Sequence, residues 1–198
     1  MKNKGLLITT ILFFLIVNTT YYWEGILGAF TFPAFALLAI VYLILTFALL
    51  RQIYFLIKGK FADRQRFFVI GLLIIVLALT FFKPFGLIDF DKLEGKDLLV
   101  AEREGTASCM TRLKLKDNFT FKDRRVCFGV SETKGIFHIQ NDTIFFDSDS
   151  YYEFAVIMPS GIHTNGTLSD LVMFKNLADT MGIELRITKN DLYKLQTK

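Results

Sequence analysis

The chain has 198 residues, 53% of them hydrophobic, with 22 Phe, 1 Trp and a formal net charge of +4. That apolar share exceeds what a soluble domain normally carries. Its basic residues gather at the ends of apolar runs instead of forming a stripe interleaved with aromatics, which excludes an ordinary nucleic-acid face.

The excess is not evenly spread. Gly5 to Phe82 holds long apolar runs with few charges, whereas from Asp89 onward charges recur every few residues. The two halves meet near Pro84. This reading gives a helical membrane domain over 1–83, a linker over 84–97 and an outer domain over 98–198.

The first run, GLLITTILFFLIVNTTYYW, covers 5–23. At about 1.5 Å per residue it reaches across a hydrocarbon layer about 30 Å thick. A basic start before an apolar stretch also describes a signal peptide, but Asn18 to Glu24 offers no A-x-A cleavage pattern, so an uncleaved helix is expected. Tyr21, Tyr22 and Trp23 suit an interfacial aromatic belt. The second run opens at Pro33, whose missing N–H suits a first helical turn, and continues over 33–57. Arg51 within it can snorkel to the interface. The third run, FFVIGLLIIVLALTFF over 67–82, lies between Arg66 and Lys83. Three spans are expected, with no Asp, Glu, Lys or His near a midplane to serve a proton relay or ion path. Gly71, Gly28 and Ala29 are too sparse a set of small residues to signal self-association, so the oligomeric state stays open.

Basic residues at span ends are retained on the cytoplasmic side. Lys2 and Lys4 precede the first run, and Lys58, Lys60, Arg64 and Arg66 lie between the second and third, whereas the loop from Glu24 to Phe32 carries no Lys or Arg. The N-terminus and second loop are therefore placed inside and everything after Phe82 outside, in the periplasm or cell exterior of a bacterium. Cys109 and Cys127 then see an oxidising compartment. A hairpin turning at Lys116 to Asn118 brings them within about two residues of each other across the ladder, and a bulge near Lys122 to Arg125 would complete the match. A disulfide is expected; two buried free thiols are the alternative.

Beyond the linker, strands are expected at LLVAE (98–102), ASCMTRLKL (107–115), FTFKDRRVCFGV (119–130), GIFHI (135–139), TIFFD (143–147) and YYEFAVIM (151–158). Turn signals at Lys116-Asp117-Asn118 and Gln140-Asn141-Asp142 separate them, as in an antiparallel meander, sandwich or barrel. Residues 169–181 fit two patterns. Leu171, Phe174, Leu177, Ala178 and Met181 lie at helical spacing behind Ser169, and a strand through DLVMF competes. GIELRIT (182–188) alternates as a strand, and the basic tail from Lys189 reads as solvated. The expected fold is three transmembrane helices followed by an all-β domain of six to eight strands.

LKLKDNFTF followed by KGIFHI and NDTIFF resembles the strand-turn-strand rhythm of lipocalin-like β-barrel domains of bacterial envelope proteins, over 105–158. The family's Gly-x-Trp opening is absent, since Trp23 lies in the membrane part. The resemblance implies a calyx for a small apolar ligand. The overall pattern is also similar to uncharacterised membrane proteins of Bacteroidetes-type bacteria.

Residues that could carry chemistry are few. His138 lies in a short strand and His163 in a Gly-rich loop. Glu102 and Glu104 flank Arg103, which reads as alternating charge at a strand end before acid–base machinery. Asp147, Asp149 and Glu153 could offer oxygen ligands to calcium but lack the glycine and spacing of an EF-hand, and two cysteines without a neighbouring histidine do not make a zinc site. No metal or other cofactor is expected, and no phosphate loop, G-x-S-x-G or H-E-x-x-H motif occurs. The sequons at Asn18, Asn118, Asn141 and Asn165 read as turn-favouring Asn before strand-favouring Thr. The expectation is a non-enzymatic envelope protein whose β domain binds a protein partner or a small apolar ligand. An envelope enzyme using His138 or Glu102, or an immunity protein against a periplasmic toxin, is the alternative.

Overall fold

A computed structural model describes residues 4–59, 63–147, 150–159 and 169–193. The chain divides into two compact units, Met1–Glu24 with Phe30–Phe90, and Gly25–Ala29 with Asp91–Lys198.

The first unit is helical. Its long elements are α1 (Lys4–Asn18), α2 (Thr20–Leu27), α3 (Thr31–Lys58) and α4 (Arg64–Phe82). Two of them, α3 and α4, are each long and apolar enough to cross a membrane. The first run, expected as a helix over 5–23, breaks after Asn18: α1 and α2 diverge by 69°, and a third span results where this bent pair crosses as one. The cause is local. Asn18 Nδ2 donates to Phe14 O at 2.8 Å, Thr19 Oγ1 to Leu15 O at 2.8 Å and Thr20 Oγ1 to Val17 O at 2.6 Å. Three consecutive side chains thus take carbonyls from the preceding turn, which bends helices. Asn18 Oδ1 also accepts the backbone N–H of Leu87 at 2.9 Å, holding the broken end in place.

The second run begins at Thr31, not Pro33, and Pro33 falls within the first turn, where its N–H would have had no partner. The third begins at Arg64, three residues earlier than expected, because Asp63 caps it by accepting from Gln65 N at 3.1 Å and Arg66 N at 3.2 Å. Phe13, Val17, Leu45, Val69, Leu73 and Val76 pack as the core between α1, α3 and α4. Leu43, Phe47, Phe68 and Ile75 stand exposed on the outside.

The second unit is a closed, up-and-down, eight-strand barrel. A short helix, α5 (Phe90–Leu93), leads to β1 (Asp97–Glu104), β2 (Met110–Lys116), β3 (Thr120–Val126), β4 (Val130–Gln140), β5 (Thr143–Phe146), β6 (Phe154–Pro159), β7 (Ser169–Phe174) and β8 (Ile183–Asn190). Every pairing is antiparallel, and β1 closes on β8 with Leu99 opposite Asn190 and Glu102 opposite Arg186. Alternation puts Leu99, Ala101, Leu113, Leu115, Phe121, Phe137, Ile144, Ala155, Leu171, Met173 and Leu185 inside, each at most 1% exposed. A barrel of this size is just wide enough for side chains to fill. Gly135 is required there: it lies opposite Phe121, whose ring would come within 2.6 Å of an added Cβ.

Several strand boundaries are corrected. The expected strand over 119–130 is two, reversing at Cys127 to Gly129 with Phe128 at φ +55. The segment 169–174 is a strand and no helix follows, because DLVMF supplies the ladder that closure needs: Leu171 lies opposite Ile157 on one side and Leu185 on the other. The expected bulge near Lys122 to Arg125 is absent. The β2–β3 ladder runs without a shift from Met110↔Val126 to Leu115↔Phe121, and the loop is Asp117, Asn118 and Phe119, with Phe119 at φ +61. This three-residue loop ending in a left-handed residue sets the register directly. Asn141 and Asp142, at φ +49 and +60, make the two-residue turn between β4 and β5. Lys189, expected in a solvated tail, lies in β8 and donates from Nζ to Asp97 O at 2.5 Å.

Candidate functional site

In an up-and-down barrel, alternate connections gather at the same mouth. The β1–β2, β3–β4, β5–β6 and β7–β8 connections share one, and three clusters of polar chemistry lie there or on the wall.

The first cluster is at that mouth. Cys109 and Cys127 extend the β2–β3 register by one pair and form a disulfide, Cα–Cα 4.5 Å. On the inward side of β3, Arg125 donates to Asp123 Oδ2 from Nε at 3.0 Å and from Nη2 at 2.5 Å. The guanidinium also lies over the rings of Tyr151 at 5.3 Å and Tyr152 at 5.2 Å, and Lys175 Nζ over Tyr151 at 4.9 Å. Burial lowers the affinity of Arg125 for its proton, and Asp123 more than reverses that, so its pKa is raised. Burial also pushes the Tyr152 hydroxyl up, with Arg125 opposing and Asp123 adding to the rise. Asp123 Oδ1 is buried without a hydrogen-bond partner. These groups lock the mouth but present no nucleophile beside a base.

The second cluster lies on the outer wall. Lys114, Lys122 and Lys134 stand opposite one another across β2, β3 and β4, an arrangement of like charges that would weaken a sheet on its own. Acids interleave with them. Asp91 of α5 accepts from Lys114 and, through Oδ1, pairs with Lys116 at 3.2 Å and Lys122 at 3.4 Å. Glu132 pairs with Lys122 at 3.0 Å and Glu94 with Lys134 at 2.8 Å. Burial pushes the Asp91 carboxyl up, but the ammoniums of Lys114, Lys122 and Lys116 outweigh it and hold Asp91 well below the usual carboxylate range. Lys114 is also lowered by burial and raised more strongly by Asp91 and Asp97. The Lys116 side chain is 1% exposed. Each charge is spent on another, so this wall is structural.

The third feature is an open groove of about 640 Å³ on the outside of β1, β7 and β8, lined by Glu102, Glu104, Asp170, Glu184, Arg186 and Thr188. Arg186 lies opposite Glu102 in one ladder and Asp170 in the other. Glu102 further pairs with Arg112 Nε at 2.8 Å. The groove therefore offers both signs of charge in a fixed order.

The sequence-derived candidates are scattered over these surfaces. Glu102 and Glu104 line the groove. His138 is exposed and stacks on Phe145 at 5.2 Å, far in sequence and register from either carboxylate. Asp147 and Glu153 flank the β5–β6 connection and are tied through their backbones, Asp147 N to Ile136 O and Glu153 N to Phe174 O, both at 3.0 Å. Among the described residues no group of three or more His, Cys, Asp or Glu is arranged to hold a metal. Lys4 and Lys58 lie in the first turn of α1 and the last of α3, and Arg64 and Arg66 in the first turn of α4. Lys2, Lys60, Asp149, His163 and Asn165 lie outside the described residues. The Lys114–Lys116–Lys122 face was present in the alternation of LKLKDNFTFK, but its acidic cover comes from α5, which the linker reading had passed over.

No family model, no curated protein and no solved structure matches the chain.

Proposed function

We propose that the chain is a non-enzymatic, membrane-anchored envelope protein whose barrel stands outside the cytoplasm and recognises a protein partner along the charged groove over β1, β7 and β8. The observation that carries the recognition is the contrast between a lumen occupied by buried side chains and an open outer groove with Glu102, Asp170, Glu184 and Arg186 in fixed order. Alternating charge of this kind sets specificity and register for a protein surface, whereas an apolar calyx needs an empty lumen. The location rests on two supports. A disulfide persists in an oxidising compartment, and Lys58, Arg64 and Arg66 around the α3–α4 connection belong inside by the positive-inside rule, which puts the chain after α4 outside. Outward apolar faces on α3 and α4 suit a lipid surround.

A photo-crosslinking residue at Glu184 or Thr188 in intact cells tests this reading. A defined partner band that disappears with Arg186→Glu is expected; crosslinks only from positions distant from the groove would overturn it. Membrane-impermeant maleimide on intact cells tests the location. Labelling of Cys109 and Cys127 only after a reductant is expected, and labelling only after permeabilisation would reverse the topology.

A further inference from the structure

The mouth that carries the disulfide ends in bare apolar tips. Phe128 in the β3–β4 turn is 85% exposed, and Leu177 and Met181 in the β7–β8 connection are 88% and 81% exposed. Single exposed apolar side chains are ordinary. Three large ones standing almost free on two connections of one mouth are a different matter, because they put bare apolar tips on both sides of that mouth. The opposite mouth differs. Its described turns present Asp117 and Asn118, and Asn141 and Asp142; Phe119 in the first of them is half-exposed and packs on Phe137 at 5.9 Å, and Tyr193, beyond β8, brings a hydroxyl with its ring.

The apolar mouth is also strapped to a particular stretch of chain. Gly28 makes a β-bridge with Val130, two residues from Phe128. The approach is so close that a Cβ on Gly129 would lie 2.3 Å from Gly28 O. Gly28 precedes Thr31, the first residue of α3, by three residues, and three residues reach at most about 11 Å. With 28 residues at about 1.5 Å each, α3 is longer than a hydrocarbon layer about 30 Å thick, so its ends reach the headgroups. Phe128 is thereby tethered within reach of the headgroup layer.

We propose that this mouth is a membrane-docking surface, with Phe128, Leu177 and Met181 entering the headgroup–acyl boundary of the bilayer that α3 crosses. This rests on the membrane-anchored reading above. By sequence the connections at this mouth carry Asp147, Asp149, Glu153 and Asp179 against Lys175, so the attraction is apolar, and a zwitterionic bilayer suffices. Insertion to about 5–10 Å is the depth that interfacial apolar side chains reach.

The test uses the full chain in phosphatidylcholine nanodiscs containing brominated acyl chains. Its one Trp is removed by Trp23→Phe, and Trp is then placed singly at Phe128, Leu177, Phe119 or Ile74. Leu177 is 88% exposed and Ile74 lies on the outside of α4 at 49%, so neither substitution disturbs packing. Bromine quenching at Phe128→Trp and Leu177→Trp about twofold or more above Phe119→Trp is expected. If Ile74→Trp is quenched while the two tips match Phe119→Trp, the docking surface is overturned and the anchor stands. If Ile74→Trp is not quenched, the anchored reading falls and the docking surface with it.

Discussion

Asp123 and Arg125, two residues apart on the inward side of β3, hold each other inside the barrel mouth through paired hydrogen bonds at 2.5 and 3.0 Å, with the Asp123 side chain only 5% exposed. The pair replaces apolar contacts at the one end of the lumen where Tyr151 and Tyr152 close over it.

Arg125→Ala leaves that carboxylate buried without its cation. Losing one partner of a fully buried pair costs roughly 3–5 kcal/mol; because the guanidinium is 34% exposed, about 2 kcal/mol is expected here. The double change Asp123→Leu with Arg125→Met removes both charges and is expected to cost less than the single one. Thermal melts of the three proteins decide it, and a double variant worse than Arg125→Ala would show that the pair itself stabilises.

The Cys109–Cys127 link closes a loop with a sequence separation of 18. Constraint of the unfolded chain by a loop of this size contributes about 3 kcal/mol. Cys109→Ser with Cys127→Ser should therefore lower Tm, and reductant should lower the native protein's Tm by the same amount while leaving the variant unchanged. A reductant effect that persists in the variant would place its action elsewhere.

Gly129→Ala sets a Cβ against Gly28 O, where nothing can move except backbone. A loss of about 1–3 kcal/mol is expected, as for strain at a special backbone position. Gly71→Ala, with nothing within 4 Å of an added Cβ in the middle of α4, is expected to be neutral or to gain up to about 1 kcal/mol. Equal effects of the two would remove the close approach as the cause.

Asp91 links three lysines, and its folded pKa is depressed. An unfolded Asp titrates near about 3.9, so the stabilisation is complete above that value and is lost as pH falls through the lower folded value. Tm followed from neutral pH downward should fall below about pH 4, and Asp91→Asn, less stable at neutral pH, should approach the native curve in acid. Parallel curves would mean that Asp91 carries no such linkage.

The alternation in LKLKDNFTFK, KGIFHI and NDTIFF placed Phe121, Phe137 and Ile144 on one face, and these are lumen residues. Asn141-Asp142 announced its turn because few residues besides Asn, Asp and Gly accept positive φ. The disulfide partners were legible too, although a bulge is not the reason: the three-residue loop is 117–119 and not 116–118, with Phe119 left-handed, and moving the turn by one residue shifts the pairing by the two that Cys127 needs. The helical spacing of Leu171, Leu177 and Met181 misled, because Leu177 and Met181 are exposed at a mouth while Leu171 is buried within it.

What the sequence determined by itself was everything with a short period: the long apolar runs, the alternating strands and the turns between them, since these follow from neighbours a few residues apart. The tertiary structure alone decided that 169–174 is a strand, because only closure of β1 on β8 through β7 satisfies the edge backbone groups. It decided that Lys116 is buried, because its acidic partner Asp91 comes from 25 residues away. It also decided that Phe128 and Leu177 share one mouth, since residues so far apart in sequence meet only when the barrel closes.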